Sequence, residues 1–231
     1  MAQGMALLGY DAINVAGWDF FLGERFLKDL QDKYKLPLVS ANIRYKDTRS
    51  HFARPYIVKR YGGKSFLGIG YGGLKVGIFG VASPEPIERI KPQEEDRPLV
   101  VDDPLETARH MVNKLRGRCD LVIMLTDLER SQSQELAKKV EGIDLIIGGR
   151  VGSVEGEPKK VGRTYLAVVG SKSYYAGDLI LSLDPQGRLH SIESRSCLLD
   201  EKIKGDPDIL KLLREYKEKQ KVSGRKRVKD S

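Results

Sequence analysis

The stretch Gly9–Gly23, GYDAINVAGWDFFLG, decides how this chain is read. Asp11–Val15 within it is a short apolar run, a strand that follows a short helical stretch. The strand opens into Ala16-Gly17-Trp18-Asp19, and α/β sheets hold their ligands in loops beyond the carboxyl ends of strands. Working outward, Glu24–Tyr34 sets Phe26, Leu27, Leu30 and Tyr34 on one face, which predicts a helix. Pro37–Ile43 (PLVSANI) is a second strand. Arg44–Gly73 is a long Gly- and Tyr-rich connection in which Tyr56–Tyr61 and Ser65–Tyr71 can form a hairpin. Leu74–Ala82 (LKVGIFGVA) is a buried strand, and Ser83–Leu99, rich in Pro and charge, reads as an ordered loop.

Asp103-Pro104-Leu105-Glu106 is a helix start: Asp caps, Pro fits the first turn and Glu can reach back. The stripe Leu105, Ala108, Met111, Val112 and Leu115 then faces a core. Cys119–Thr126 is a fully buried strand, Ser131-x-x-Gln134 starts a helix that Gly142 ends, and Ile143–Gly149 is the next strand. After Gly152 the alternation stops. Thr164–Val169, Asp178–Leu183 and Arg188–Cys197 read as a meander of strands with the turn Asp184-Pro185-Gln186-Gly187 between the last two. Asp206-Pro207 opens a final helix with Ile209, Leu210, Leu213 and Tyr216 inward. Alternating strands and helices followed by a meander define an α/β layered domain with a mixed sheet or two facing sheets. The domain covers 1–221, and 222–231 is a basic disordered tail.

The 231 residues are 40% hydrophobic and 31% charged, the balance of a globular chain that buries its own core. No apolar run approaches the roughly 20 residues of a membrane span. The start, MAQGMALLGYDA, lacks a basic region and a long apolar run, so it is not a secretory signal as written. Cys119 and Cys197 have no metal-binding spacing and are read as two unpaired thiols, with a pair across the fold as the alternative. The net charge of +8 gathers towards the C-terminus. That cluster is read as a solvated helix end and tail rather than a nucleic-acid site, because no aromatic residues interleave with its last basic residues.

Three strand ends are candidate sites: Ala16–Asp19, Thr126–Glu129 and Gly148–Gly152. Trp18, the only Trp, either plugs a space or is a plain core or rim aromatic. Asp19 caps the following turn or acts as a ligand. Asp127 holds a cation or pairs with Arg150, and Arg150 binds an oxyanion or neutralises Asp127 or Asp19. His51, His110 and His190 have no useful mutual spacing and read as surface or hydrogen-bonding residues. The paired glycines make turns but no phosphate loop, since no Gly-rich run precedes Lys-Ser or Lys-Thr.

In order and spacing, Gly9-Tyr10-Asp11-Ala12, Ser40-Ala41-Asn42-Ile43, Lys75–Gly80, Gly142–Gly149 and Gly170-Ser171 with Tyr175-Ala176-Gly177 resemble scaffold segments of the 5′-nucleotidase-type metallophosphoesterases over roughly residues 1 to 200. The resemblance implies a layered α/β domain with mixed sheets flanked by helices, here lacking the family's first strands and its separate nucleotide-recognition domain. It implies Asn-His at Gly17-Trp18, a His-bearing run at Thr126–Glu129 and Gly-His-x-His at Gly149–Gly152. Similar proteins bind two divalent metals there and hydrolyse phosphate esters. This chain carries none of the expected His ligands: Gly17 offers no side chain, Trp18 cannot bind metal, Arg150 repels a cation and Gly152 removes the last imidazole. The expectation is therefore a catalytically degenerate domain, without metal, that serves as a binding or structural module. Its competitors are a Mn- or Zn-dependent phosphoesterase completed by an upstream segment or partner chain, and an anion- or nucleic-acid-binding protein. The resemblance also implies a chain or segment that covers open edges at Asp11–Val15 and Leu121–Leu125, a c-type cytochrome partner, and a periplasmic or extracellular location.

Overall fold

The period-2 alternation of two apolar strands builds the centre of the molecule. In the strand Leu74–Val81, Val76 and Ile78 point to one side while Phe79 and Val81 point to the other; in Leu121–Thr126, Leu121 opposes Val122 and Met124 in the same way. A sheet that is apolar on both faces must be covered on both. The computed structural model describes residues 1–66, 69–90, 93–148, 157–168 and 174–229, and in it this is what happens.

The elements run in chain order as α1 (Ala2–Leu7), β1 (Ile13–Asn14), a 3₁₀ turn (Gly17–Phe20), α2 (Glu24–Tyr34), β2 (Leu38–Val39), β3 (Ile43–Tyr45), β4 (Tyr56–Tyr61), β5 (Lys64–Phe66), β6 (Ile69–Tyr71) and β7 (Leu74–Val81). There follow α3 (Pro84–Arg89), β8 (Leu99–Val101), α4 (Pro104–Leu115), β9 (Leu121–Thr126), α5 (Arg130–Lys139), β10 (Leu145–Gly148), β11 (Lys159–Val161), β12 (Thr164–Val168), β13 (Tyr175–Leu183), β14 (Leu189–Leu198) and α6 (Pro207–Lys229). The main sheet has the order β11-β12-β10-β9-β7-β4, with β7, β9, β10 and β12 parallel and the two outer strands antiparallel. It is the mixed sheet flanked by helices that the sequence predicts.

One face of the sheet carries α4 and α5 through Met111, Leu115, Leu136, Val122, Met124 and Ile146. The other face is covered by the β13–β14 hairpin, whose Leu181, Leu183 and Leu189 pack on Val76, Ile78 and Leu121. A second core gathers α2, β2, β3, β8 and the 3₁₀ turn around Phe20, Phe52 and Tyr45. The small parallel pair β1–β2 is drawn against β7, where the Ala41 N–H donates to the Gly80 carbonyl at 2.7 Å. A Cβ at Gly80 would stand 2.6 Å from the Val39 carbonyl oxygen and against the Asn14 side chain, so the approach requires glycine.

Several expectations need correction. Leu121–Leu125 is no open edge, since β9 lies between β7 and β10. Tyr56–Tyr61 pairs with Leu74–Val81; the hairpin in the connection is β5–β6 alone. Pro37–Ile43 divides into β2 and β3, because Ser40 and Asn42 spend their side chains on backbone groups. Ser83–Leu99 holds α3 and leads into β8 instead of looping throughout. The box that opens α5 is Glu129 with Gln132, whose side chain accepts from the Glu129 N–H at 3.0 Å, not Ser131 with Gln134. Phe26 on α2 faces solvent, as do Leu210, Leu213 and Tyr216 on α6. The long helix α6 meets the body of the protein chiefly at α1 and runs past Val222 to Lys229.

Candidate functional site

The helix α3 decides the chemistry of the strand-end region. Ser83 leaves β7 and caps α3; its N–H donates to Asp127 Oδ1 at 2.6 Å, and Asp127 stands just past the end of β9. One turn later, Pro86 and Ile87 lie on Gly17. A Cβ built on Gly17 would overlap the Pro86 side chain and come within 2.9 Å of the Ile87 backbone nitrogen. Any side chain at position 17 must displace α3. The space beyond β1 is filled by protein.

The neighbouring strand-end groups are turned onto backbone. Asp19 Oδ2 accepts the Ala16 N–H at 2.8 Å and closes the 3₁₀ turn that contains it, so it reaches back across its own turn and does not cap a following one. Close packing around the Asp19 carboxyl pushes its pKa up, partly opposed by that N–H, although the residue as a whole retains solvent contact. Thr126 Oγ1 accepts from the Leu128 N–H at 3.0 Å. Trp18 is 60% exposed, so it is a rim residue and plugs nothing. Phe21 and Leu22, a few residues on, are exposed as well.

Asn42, which the sequence marks only as part of a scaffold segment, organises this end of the sheet. It is fully buried; its Oδ1 accepts the Ala82 N–H at 2.9 Å, and its Nδ2 donates to the Ala82 carbonyl at 2.8 Å and the Asp102 carbonyl at 3.3 Å. A side-chain amide that satisfies both backbone groups of one residue mimics a strand neighbour. The available signal was the polar pair Ser40 and Asn42 inside an otherwise apolar run. Nearby, Asp102 accepts from Arg44 and from Arg49, the latter at 2.7 Å.

The structure therefore brings Gly17 and Asp127 to a common neighbour, α3, and Trp18 and Asp19 follow Gly17 in the 3₁₀ turn. Arg150 and Gly152 lie outside the described residues, and with them the proposed Asp127–Arg150 pair. Asp127 has a further interaction besides the Ser83 N–H. Among the described residues there is no group of three or more His, Cys, Asp or Glu side chains that could hold a metal ion. Among the described strand-end groups, Gly17 lacks a side chain, Trp18 is an indole, and the Asp19 and Asp127 carboxylates each accept a backbone N–H, which is a poor donor set for a dinuclear centre.

A six-stranded mixed sheet, helices on one face and strand-end loops gathered at one end define the layered fold of the calcineurin-like metallophosphoesterases. Within that class the homologues and structural neighbours of this chain are of the 5′-nucleotidase type. It is 25% identical over 243 residues to the trifunctional nucleotide phosphoesterase protein YfkN of Bacillus subtilis, covering 92% of this chain and 16% of that protein. It is 30% identical over 151 residues to the 5′-nucleotidase of Rattus norvegicus, covering 64% of this chain and 25% of the relative. The sulfate thiohydrolase SoxB of Thermus thermophilus superposes over 93% of this chain and 38% of its own with a TM-score of 0.79 at 18% identity. The 5′-nucleotidase precursor of Thermus thermophilus superposes over 85% of this chain and 40% of its own with a TM-score of 0.70 at 24% identity. No family model matches the sequence. The chain thus spans a quarter or less of the length of these two curated relatives.

Proposed function

We propose that this chain is a catalytically degenerate 5′-nucleotidase-like metallophosphoesterase domain that works as a binding or structural module. The observation that carries the reading is the contact of Pro86 and Ile87 with Gly17, where the family resemblance implies an Asn. A residue reverted to Asn there would collide with α3 before it reached a cation. The capture of Asp127 by the Ser83 N–H and the replacement of family ligands by Trp18, Arg150 and Gly152 support the same reading.

A partner role is supported by the one-sided pairing of β1, which bonds β2 and, among the described residues, has no second strand. A chain or segment that supplied this second strand would complete the small sheet. A c-type cytochrome as the partner rests on the family resemblance alone.

The test is phosphate release from a nucleoside 5′-monophosphate by the purified protein with Mn²⁺ or Zn²⁺, alongside metal analysis of the protein after dialysis. The expected result is no release above the metal-free blank and less than one bound metal per chain. Release that rises with metal and disappears in Asp127→Ala, with about two metals bound, overturns the proposal in favour of a phosphoesterase.

A further inference from the structure

At the opposite end of the sheet from the strand-end loops lies a cleft of about 380 Å³ lined by Arg60, Lys75, Arg116, Arg118 and Asp120, with glycines at its turns. Four cations face one carboxylate. Lys75 is at the amino end of β7 and Ser83 follows its carboxyl end, which puts the cleft on the order of 20 Å from α3 at about 3.3 Å per strand residue. The carboxylate is already engaged, because Asp120 Oδ2 accepts the Lys75 backbone N–H at 2.7 Å. Arg116 is turned to Asp144 at 2.7 Å. Among the described residues, Arg60, Lys75 and Arg118 have no carboxylate partner; Arg60 donates to the Gly72 carbonyl.

Two of these cations face each other by register. Arg60 on β4 is the direct antiparallel partner of Lys75 on β7. Like charges directly opposite on one face of a sheet destabilise it. Arg116 and Arg118 follow the C-terminus of α4, where cations complement the helix dipole, whereas Arg60 and Lys75 come from strands. A multiply charged anion between them would remove the repulsion and take charge-assisted hydrogen bonds from up to three cations that have no carboxylate partner among the described residues. The rim is mostly exposed, so a ligand can enter.

We infer that this cleft binds the phosphate chain of an oligophosphate or of a nucleotide. The inference does not depend on whether the strand-end loops hydrolyse anything, and metal-free conditions keep the two questions apart. The experiment is calorimetric titration with tripolyphosphate and with ATP in EDTA at low salt, on the parent protein and on Lys75→Gln, Arg118→Gln and, as a remote control on α6, Arg214→Gln. Tripolyphosphate should bind, weaken with added salt, and lose about tenfold or more in affinity in each cleft variant, the loss of one charged hydrogen bond. Arg214→Gln should leave it unchanged. Equal binding of tripolyphosphate and ATP identifies the phosphate chain as the ligand; tighter ATP identifies a nucleotide. Because it relieves the cross-strand repulsion, Lys75→Gln should unfold at the parent midpoint or above it, which separates loss of a contact from loss of the fold. No binding of either anion, or binding indifferent to Lys75 and Arg118, would overturn the inference.

Discussion

Replacing Gly17 with Ala tests whether α3 has closed the strand-end space. The added Cβ would overlap the Pro86 side chain and lie 2.9 Å from the Ile87 nitrogen, a backbone atom that cannot swing aside as a flexible side-chain end would. Forcing one methyl into packed protein costs about 1–3 kcal/mol. The lower entropy of the unfolded Ala chain returns up to about 1 kcal/mol. The net expectation is a loss of about 1–2 kcal/mol, or about 2–8 °C in melting midpoint for a chain of this size. Gly17→Asn should lose at least as much. The assay is urea or thermal unfolding followed by circular dichroism, with Trp18→His as the internal comparison. Trp18 is 60% exposed, and a change there should stay within about 0.5 kcal/mol. A Gly17→Ala protein as stable as its parent would refute the reasoning, because it would mean that α3 yields easily and that the space can be reopened.

Two further outcomes follow from the same region. Asn42→Ala leaves the Ala82 N–H and carbonyl without their buried partner, so unfolding should become easier by about 2–4 kcal/mol, measured by denaturant midpoint. His51 is half-buried, its Nδ1 has no hydrogen-bond partner among the described residues, and burial, reinforced by the Arg44 cation, holds its pKa below the ordinary value of 6.5. The folded state therefore binds fewer protons than the unfolded one, so His51 has no effect on stability above pH 6.5 and lowers it progressively as pH falls below that value. A pH series of melting midpoints should show His51→Gln losing less stability than the parent between pH 6.5 and 5; parallel curves would contradict this.

The sequence carries the main sheet well, and the reason is local. β7, β9 and α4 each have a strong apolar period, and Asp103-Pro104 caps α4 as read, with Asp103 Oδ1 accepting the Glu106 N–H at 2.8 Å. α2 spans the predicted Glu24–Tyr34. Pairing was less legible: Tyr56–Tyr61 was identified as a strand, but its partner depends on a register that periodicity does not encode. α6 shows the opposite failure. Its stripe is a good helical pattern, yet Leu213 is 48% exposed, because an amphipathic pattern states that a face wants cover and not that the same chain supplies it.

By itself, the sequence determined the layered class through its short-range period, and it put Trp18 and Gly152 at positions where the family resemblance implies imidazoles. Only the tertiary structure decided what lies against Gly17. α3 comes from a stretch about 70 residues beyond Gly17, so its contact through Pro86 and Ile87 is written in no local pattern. The cross-strand meeting of Arg60 and Lys75 likewise exists only once β4 and β7 have chosen their register. Side-chain chemistry is a property of the residue; which side chains share a volume is a property of the packed chain.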